Sequence, residues 1–478
     1  MNLPADFTSD MTSYLGEETY GLLVQALQAA PPVSIRFNPL KASSGEIAGI
    51  IKEHSATRVP WCDLGYYLSQ RPQFTFDPLL HAGCYYVQEA SSMFLWHILS
   101  EHLRQRKDAG LAAPITALDL CAAPGGKSTL ALSLLPEGSI LIANEAIRQR
   151  SNILAENIIK WGCPNCIVTN NYAEDFSCFT HTFDVIICDA PCSGEGMFRK
   201  DTDSTGEWSV EHVELCAARS RRIIHDVWEA LKPGGLLIYS TCTYNLEEDE
   251  ENIHYFVDEL GAEPVTIPID EAWQITGALR YDNSVYRFLP HRTRGEGFFL
   301  AALRKKGEPT SESHSKAKRK KEKGKPAPAI PAQAKTLLNE PDSYHFAWQN
   351  STLVALSVAH KEAFQQLTDN ALKPLLMGTR IGEQKGKDLI PSEELALSNA
   401  LRKEAFPTVE LTWEEAISYL RKEAVCLPAE TPRGNVLVCY AGYPLGFVKH
   451  LGNRSNNLYP AEWRIRSGYQ PDEVRLFH

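Results

Sequence analysis

The chain has 478 residues, of which 44% are hydrophobic and 22% charged, a composition typical of soluble globular proteins. No apolar run is long enough to span a bilayer, and the acidic N-terminus lacks the features of a signal peptide, so we expect a cytoplasmic protein of two or three domains. The net charge of −11, taken alone, argues against a nucleic-acid partner, but such binding depends on local patches.

The chain has 12 cysteines, but we predict no disulfides among them, because cytosolic thiols stay reduced. Cys163 and Cys166 in "WGCPNC" have the spacing of a redox or zinc pair, but no second pair or histidine cluster accompanies them. We therefore predict no metal site.

The first region, residues 1–110, mixes helical patterns with "SIRFNPLK", a strand that enters a turn, and becomes helical from about Gln88. It is predicted to be an N-terminal α+β extension.

The pattern changes within residues 111–303. Near-continuous apolar runs such as "ITALDLCAA", "SILIANEA", "CIVTNN", "FDVIICDAP" and "GLLIYSTCT" alternate with amphipathic helices. This alternation predicts an α/β domain with a Rossmann-like parallel sheet that is covered on both faces. The run "EGFFLAALRK" is predicted to be its last strand.

Residues 304–335 are rich in Lys, Ser and Pro and nearly free of large apolar side chains, which predicts a flexible linker. Its basic half either tracks phosphates by charge or is simply a solvated tether. After it, residues 336–478 predict a small α/β piece followed by a small β-barrel.

A glycine-containing loop, "DLCAAPGGKS", lies between the first strand of the sheet and a helix. A phosphate-binding NTPase loop would need glycine at Cys121, and the NAD fingerprint is absent. Glu145 ends the next strand, where an acidic residue can accept hydrogen bonds from both ribose hydroxyls. S-adenosyl-L-methionine, which has a ribose and no phosphate, fits this combination, whereas a tight turn with a surface glutamate is the structural alternative.

Two cysteines follow neighbouring strands of the predicted sheet: Cys192 after the fourth and Cys242 at the end of the fifth. Most buried cysteines are inert small hydrophobes, and we interpret Cys188 and Cys216 in this way. Because the carboxyl ends of parallel strands share one edge, Cys192 and Cys242 are expected to lie in one crevice beside the cofactor.

A thiol, a carboxylate and this cofactor suit methylation of cytosine at carbon 5. A thiolate added at carbon 6 makes carbon 5 nucleophilic, and a carboxylic acid such as Asp189 stabilises the adduct. The target base must leave its stack to reach such a pocket. The residues alone do not rank the two thiols.

The motifs "DLCAAPGGKS", "ANEA", "CDAPCSGEGMFRKD", "YSTCTYNLEEDEEN" and "EGFF" together resemble the Nop/Sun family of RNA (cytosine-5-)-methyltransferases. The C-terminal region resembles its RsmF branch, bacterial enzymes that act on small-subunit ribosomal RNA. The resemblance implies an RNA-binding N-terminal extension and a C-terminal RNA-binding region with a PUA-like barrel.

The resemblance also implies roles for single residues. Cys242 would be the nucleophile, Cys192 would assist proton loss or product release, and Asp189 would contact both cytosine and cofactor. Many members have an aspartate near the position of Tyr172, where this chain offers Asn170 or Asn171 instead. The implied cofactor-binding set is Cys121, Ala122, Ala123, Pro124, Gly125, Gly126, Lys127, Glu145, Asn171 and Asp189.

Other functions compete with this interpretation. A methyltransferase of exocyclic amines would carry an aromatic residue at Cys192, and a DNA cytosine methyltransferase would use Cys192 as its nucleophile. A transfer-RNA substrate and a non-catalytic RNA-binding ribosome assembly factor are the remaining alternatives. In the barrel, Tyr440, Lys449, Arg454, Trp463 and Arg464 are candidates for RNA contacts, although the aromatic residues equally suit a small core.

Overall fold

The computed structural model describes residues 2–201, 203–307, 329–369, 372–386 and 388–469. Most of the predicted linker, residues 308–328, lies outside the described residues. Within the described ranges, no helix combines the length and apolar character that crossing a membrane requires.

The N-terminal region is an α+β unit whose small sheet has the strand order β2-β3-β1-β4. Its elements in chain order are α1 (Ala5–Leu15), α2 (Glu17–Gln28), β1 (Val33–Phe37), α3 (Ser44–Glu53), β2 (Thr57–Arg58), β3 (Gly65–Leu68), α4 (Pro78–His81), β4 (Tyr85–Val87) and α5 (Phe94–Asp108).

The central region alternates strands and helices as its sequence predicts. Its elements are β5 (Thr116–Asp119), α6 (Gly126–Leu132), β6 (Ile140–Asn144), α7 (Arg148–Trp161), β7 (Cys166–Thr169), β8 (Phe183–Asp189), α8 (Ser204–Glu207), α9 (Val210–Trp228), β9 (Leu231–Thr241), α10 (Glu250–Leu260), β10 (Ala262–Pro264), β11 (Val285–Phe288) and β12 (Phe298–Lys305).

The C-terminal region contains two further small sheets, with strand orders β13-β14-β16-β17 and β18-β19-β20-β21. Its elements are β13 (Tyr344–Gln349), β14 (Thr352–Ser357), α11 (Lys361–Asp369), β15 (Pro374–Met377), β16 (Thr379–Lys385), β17 (Asp388–Pro391), α12 (Glu393–Leu397), β18 (Thr408–Glu410), α13 (Trp413–Leu420), β19 (Gly434–Tyr440), β20 (Tyr443–His450) and β21 (Ser455–Asn457).

The central sheet has the order β10-β12-β9-β8-β5-β6-β7-β15, and β11 also pairs with β12. Strands β5 to β9 are mutually parallel, whereas β12 runs antiparallel to β9. The parallel strands are buried throughout most of their length because helices cover both faces, which explains their continuous apolar runs. This is a Rossmann-like architecture, and it makes β8 and β9 neighbours.

The edge of the central sheet beside β7 is covered by a strand from the C-terminal region. β15 pairs antiparallel with β7. The backbone N–H of Asn170 donates to the Lys373 carbonyl (3.2 Å), and the Lys373 N–H donates to Asn171 Oδ1 (2.9 Å). These bonds attach the C-terminal region to the loop that follows β7.

The C-terminal β-sheet also packs against the N-terminal region in one hydrophobic cluster. Tyr440 is buried within this cluster and Trp463 packs against it, and the Trp413 indole N–H donates to the Phe76 carbonyl (2.9 Å). Tyr440 is therefore part of the core and not a free platform for an RNA base, whereas Trp463 is only partly buried.

Candidate active site

A cavity of about 720 Å³ lies at the carboxyl ends of β5, β6, β8 and β9. This is the position at which open α/β sheets bind their ligands. The predicted site residues that line it are Cys121, Glu145, Asn171, Asp189, Cys192 and Cys242.

The predicted glycine loop is held from behind by neighbouring elements. Arg150 on α7 donates to the Ala123 carbonyl (2.9 Å), and Asn157 donates to the Pro124 carbonyl (2.8 Å). Gly125 has a φ of +115°, a conformation that residues with a side chain rarely adopt. A Cβ at this position would also lie 3.3 Å from Leu154 Cδ1, which leaves little room for it. The Ala122 N–H also donates to the Asn144 carbonyl (2.8 Å). These contacts fix the loop, and of its residues Cys121–Lys127 only Cys121 is among the described residues that line the cavity.

The loop is also attached to the N-terminal region through Arg36, a residue that the sequence did not indicate. Its buried guanidinium donates to Thr129 Oγ1 (2.6 Å), to the Gly126 carbonyl (3.3 Å) and to Gln88 Oε1 (2.9 Å). The N-terminal extension therefore holds the start of α6 in place.

Glu145 follows β6 with only 4% of its surface exposed, yet it is one of the cavity-lining residues. Its Oε1 accepts the backbone N–H of Ile147 (2.9 Å). Its Oε2 accepts no hydrogen bond from any residue that the structure describes, although Arg150 Nη1 lies 3.4 Å away. A buried carboxylate oxygen with an unused acceptor site beside a cavity is suited to a ligand hydroxyl.

Asn171 lines the cavity, but its amide group is engaged by the protein. Nδ2 donates to Asp175 Oδ2 (2.9 Å), and Oδ1 accepts the Lys373 N–H. The Asn170 side chain donates to the carbonyls of Glu145 and Ala146, so it also holds backbone. Tyr172 lines the cavity with 67% of its surface exposed. The assignment of Asn171 as a cofactor ligand stays a prediction.

Cys192 and Cys242 meet, as expected from the adjacency of β8 and β9. Their Sγ atoms lie 3.1 Å apart, and the Cys242 backbone N–H donates to Cys192 Sγ (3.3 Å). Both residues are partly exposed and unbridged. The hydrogen bond with Cys242, together with burial, raises the pKa of the Cys192 thiol well above its usual value.

Asp189 lies at the end of β8 between two donors. Lys127 Nζ lies 2.8 Å from Oδ2, and Ser240 donates to Oδ1 (2.7 Å). Burial lowers the pKa of Lys127, but the Asp189 carboxylate, and to a smaller extent Asp119 and Cys242, raise it above its usual value. Lys127 is therefore a charged ammonium held against Asp189, which lines the cavity together with the two cysteines.

A buried polar network, which the sequence analysis missed, joins the turns that carry the two cysteines. Glu195, three residues after Cys192, accepts hydrogen bonds from Thr243 Oγ1 (2.5 Å) and from the Tyr244 N–H (2.7 Å). Glu248 accepts the Ser193 N–H in return (3.0 Å). An acidic residue shortly after each cysteine was the signal available in the sequence.

A second buried network supports the end of β9. Arg287 on β11 pairs with Glu250, with Asp249 (3.2 Å) and with the Tyr244 carbonyl (2.9 Å). Asp249 in turn accepts a hydrogen bond from Thr241 Oγ1 (2.6 Å), the residue before Cys242. The position of Cys242 is thus fixed by charged residues that are almost fully buried.

Comparison with known proteins assigns a class to this fold and cavity. Residues 113–304 match the family model "16S rRNA methyltransferase RsmB/F". Residues 3–90 match the N-terminal domain of 16S rRNA methyltransferase RsmF, and residues 406–465 match the RsmF PUA domain. The protein is a methyltransferase with a C-terminal PUA domain.

Full-length relatives narrow the assignment. The chain is 31% identical over 457 residues to ribosomal RNA small subunit methyltransferase F of Klebsiella pneumoniae, covering 91% of this chain and 90% of the relative. It is 31% identical over 446 residues to the protein of the same name from Photobacterium profundum, covering 90% of each chain. The chain belongs to the ribosomal RNA small subunit methyltransferase F family.

Solved structures agree on the fold. A methyltransferase homologue from Pyrococcus horikoshii superposes with a TM-score of 0.53 at 27% identity, covering 63% of this chain and 94% of that one. NSun6 from the same organism, solved with SFG, has a TM-score of 0.53 at 21% identity, covering 64% of this chain and 99% of that one.

Proposed function

We propose that this protein transfers the methyl group of S-adenosyl-L-methionine to carbon 5 of a cytosine in small-subunit ribosomal RNA, through a covalent adduct between Cys242 and carbon 6. The observation that carries the proposal is the pair of thiols, 3.1 Å apart, that lines one cavity together with Asp189, whose carboxylate pairs with Lys127.

The residues of the cavity suit this cofactor. Glu145 Oε2 is buried and has no hydrogen-bond donor within the described ranges, so it suits the ribose hydroxyls. The volume of about 720 Å³ has room for a nucleoside cofactor and a base. When bound, the cofactor supplies an electrophilic methyl group on a sulfonium. Cys121 is positioned to contact it, and the remaining residues of the loop, Ala122–Lys127, hold that contact in place.

The contacts around the two thiols support Cys242 as the nucleophile. Cys192 Sγ lies 3.1 Å from Cys242 Sγ, so a protonated Cys192 can donate a hydrogen bond to a Cys242 thiolate. The Lys127 ammonium, 2.8 Å from Asp189, adds positive charge to this end of the cavity. A hydrogen-bond donor and a positive charge are groups that stabilise a thiolate.

The proposed reaction proceeds in three steps. The Cys242 thiolate adds to carbon 6, and the electron pair of the 5,6 double bond makes carbon 5 nucleophilic. Carbon 5 then takes the methyl group, leaving S-adenosylhomocysteine. A base removes the carbon-5 proton, the double bond reforms and the Cys242–C6 bond breaks. Asp189 and Lys127 bind the polar edge of the pyrimidine, and Cys192 assists release.

Cys192→Ala is expected to accumulate a covalent protein–RNA adduct when RNA and S-adenosylmethionine are present, because Cys192 acts after the Cys242–C6 bond has formed. The adduct is measured as a band of reduced mobility on a denaturing gel, and it disappears on digestion with ribonuclease.

The double variant Cys192→Ala/Cys242→Ala provides the control and should form no adduct. An adduct in Cys242→Ala alone, with none in Cys192→Ala, would reverse the two roles and point to the mechanism of the DNA cytosine enzymes.

Glu145→Ala is expected to weaken binding of S-adenosylhomocysteine by on the order of 10- to 100-fold, because hydrogen bonds to a charged group are lost. Isothermal titration calorimetry measures this change. Glu137→Ala, which removes an exposed carboxylate before β6 at the opposite end of that strand, should bind normally. Equal affinities for the two variants would contradict the ribose contact.

The RNA substrate is identified by bisulfite sequencing of ribosomal and transfer RNA from a strain that lacks this gene. We expect one or more 5-methylcytosines to disappear from small-subunit ribosomal RNA. Loss from transfer RNA instead would change the substrate, and no loss at all would favour a non-catalytic assembly factor.

A further inference from the structure

One wall of the cavity is a face of α9. Arg219, Arg222, Ile223 and Asp226 line the cavity, and their spacing of three, one and three residues places them on one side of the helix. This wall extends from the loop after β7 toward the cysteine pair.

The cavity-lining arginines differ in their partners. Arg222 lies 3.2 Å from Glu174 and 3.8 Å from Asp226, and Arg150 lies 3.4 Å from Glu145. Arg219 is exposed and forms no ion pair with any carboxylate in the described part of the chain. It is therefore a guanidinium whose donors are available to a ligand.

Arg219 lies on the side of the wall nearer to the thiols. Cys216, one helical turn earlier, is buried, and the carbonyl of the next residue, Ala217, accepts a hydrogen bond from Asn252 on α10, the helix that follows Cys242 (3.4 Å). Arg222, one turn later, is joined to Glu174 in the loop after β7. Arg219 thus lies between the two cysteines and the loop after β7 that carries Tyr172.

We propose that Arg219 binds a backbone phosphate of the RNA nucleotide whose base enters the cavity, and so positions that base against Cys242. A base can reach this cavity only by leaving its stack, and its own phosphates then come to the cavity mouth. The planar fork of an arginine matches phosphate oxygens. The inference rests on the proposed RNA methylation, and it assigns Arg219 as a positioning residue.

The test compares Arg219→Gln, Arg219→Lys and the wild-type protein on small-subunit ribosomal RNA transcribed in vitro. Arg219→Gln is expected to raise the Kd and the KM for RNA roughly tenfold, with affinity for S-adenosylhomocysteine unchanged. The slope of log K against log salt should fall in magnitude by about 0.7–0.9, the contribution of one phosphate contact. Arg219→Lys should keep the slope and lose part of the affinity.

Lys232→Gln is the matched control, because it removes one positive charge from the methyltransferase domain far from the cavity. Lys232 lies at the start of β9, 2.8 Å from Asp184 near the start of β8, and so at the opposite ends of these strands from the cavity. An unchanged salt slope in Arg219→Gln would overturn the inference, as would weaker binding of S-adenosylhomocysteine. Binding is measured without turnover, so absence of methylation by the wild-type protein would contradict the proposed function separately.

Discussion

Cys242→Ala is expected to abolish methyl transfer, lowering the rate by at least about 10⁴-fold, because the bond to carbon 6 that makes carbon 5 nucleophilic can no longer form at Cys242. Binding of S-adenosylhomocysteine should stay within about twofold of wild type, since the cofactor contacts that we propose centre on Glu145 and the loop at Cys121. Transfer of a radiolabelled methyl group to RNA and calorimetric titration measure the two effects.

Cys426→Ala is the matched control for this variant. Cys426 is an exposed free cysteine in the C-terminal region, so its removal should leave methyl transfer at the wild-type rate. A Cys242→Ala protein with substantial activity would refute the nucleophile assignment. Loss of both activity and cofactor binding would instead indicate that Cys242 is needed for the shape of the cavity.

Arg287→Met is expected to reduce the free energy of unfolding by about 3–5 kcal/mol, because it leaves the carboxylates of Asp249 and Glu250 buried without their counter-ion. The side chain of Arg287 is 1% exposed, and those of its two partners are fully buried. Urea denaturation followed by circular dichroism measures the change.

Two further variants test whether the lost stability comes from buried carboxylates that have no counter-ion. Arg280→Met breaks an exposed ion pair with Glu251 and should change stability far less. Adding Glu250→Met to Arg287→Met should recover part of the lost stability, because one of the two buried carboxylates without a counter-ion is then removed. A double variant less stable than Arg287→Met would contradict this explanation.

The sequence predicted those parts of the candidate site that depend only on the order of the strands in the parallel sheet. The alternation of strands and helices fixed β8 and β9 as neighbours, and from this the meeting of Cys192 and Cys242 followed. The position of Glu145 beside the cavity was likewise predicted, because the residue lies at the end of a strand. These predictions needed only the order of the strands in a parallel sheet.

The contacts that required pairing over long distances in the chain were not predictable in this way. Arg36 reaches the glycine loop from about 90 residues away. Asn171 was predicted as a ligand, but its amide group is engaged by Asp175 and by Lys373, about 200 residues later. No periodicity in "NALKPLLMGTR" indicates that this segment pairs with β7.

The pairing of β15 with β7 also orders events during synthesis of the chain. Ribosomes release the N-terminal end first, so β5 to β12 emerge well before β15 exists. Throughout that interval β7 presents unpaired N–H and C=O groups along one edge, which can associate with other strands. A nascent chain that stops before Lys373 never covers this edge, and the loop carrying Tyr172 has no attachment to the C-terminal region at Lys373. Completion of the cavity rim therefore waits for nearly four-fifths of the polypeptide to be made.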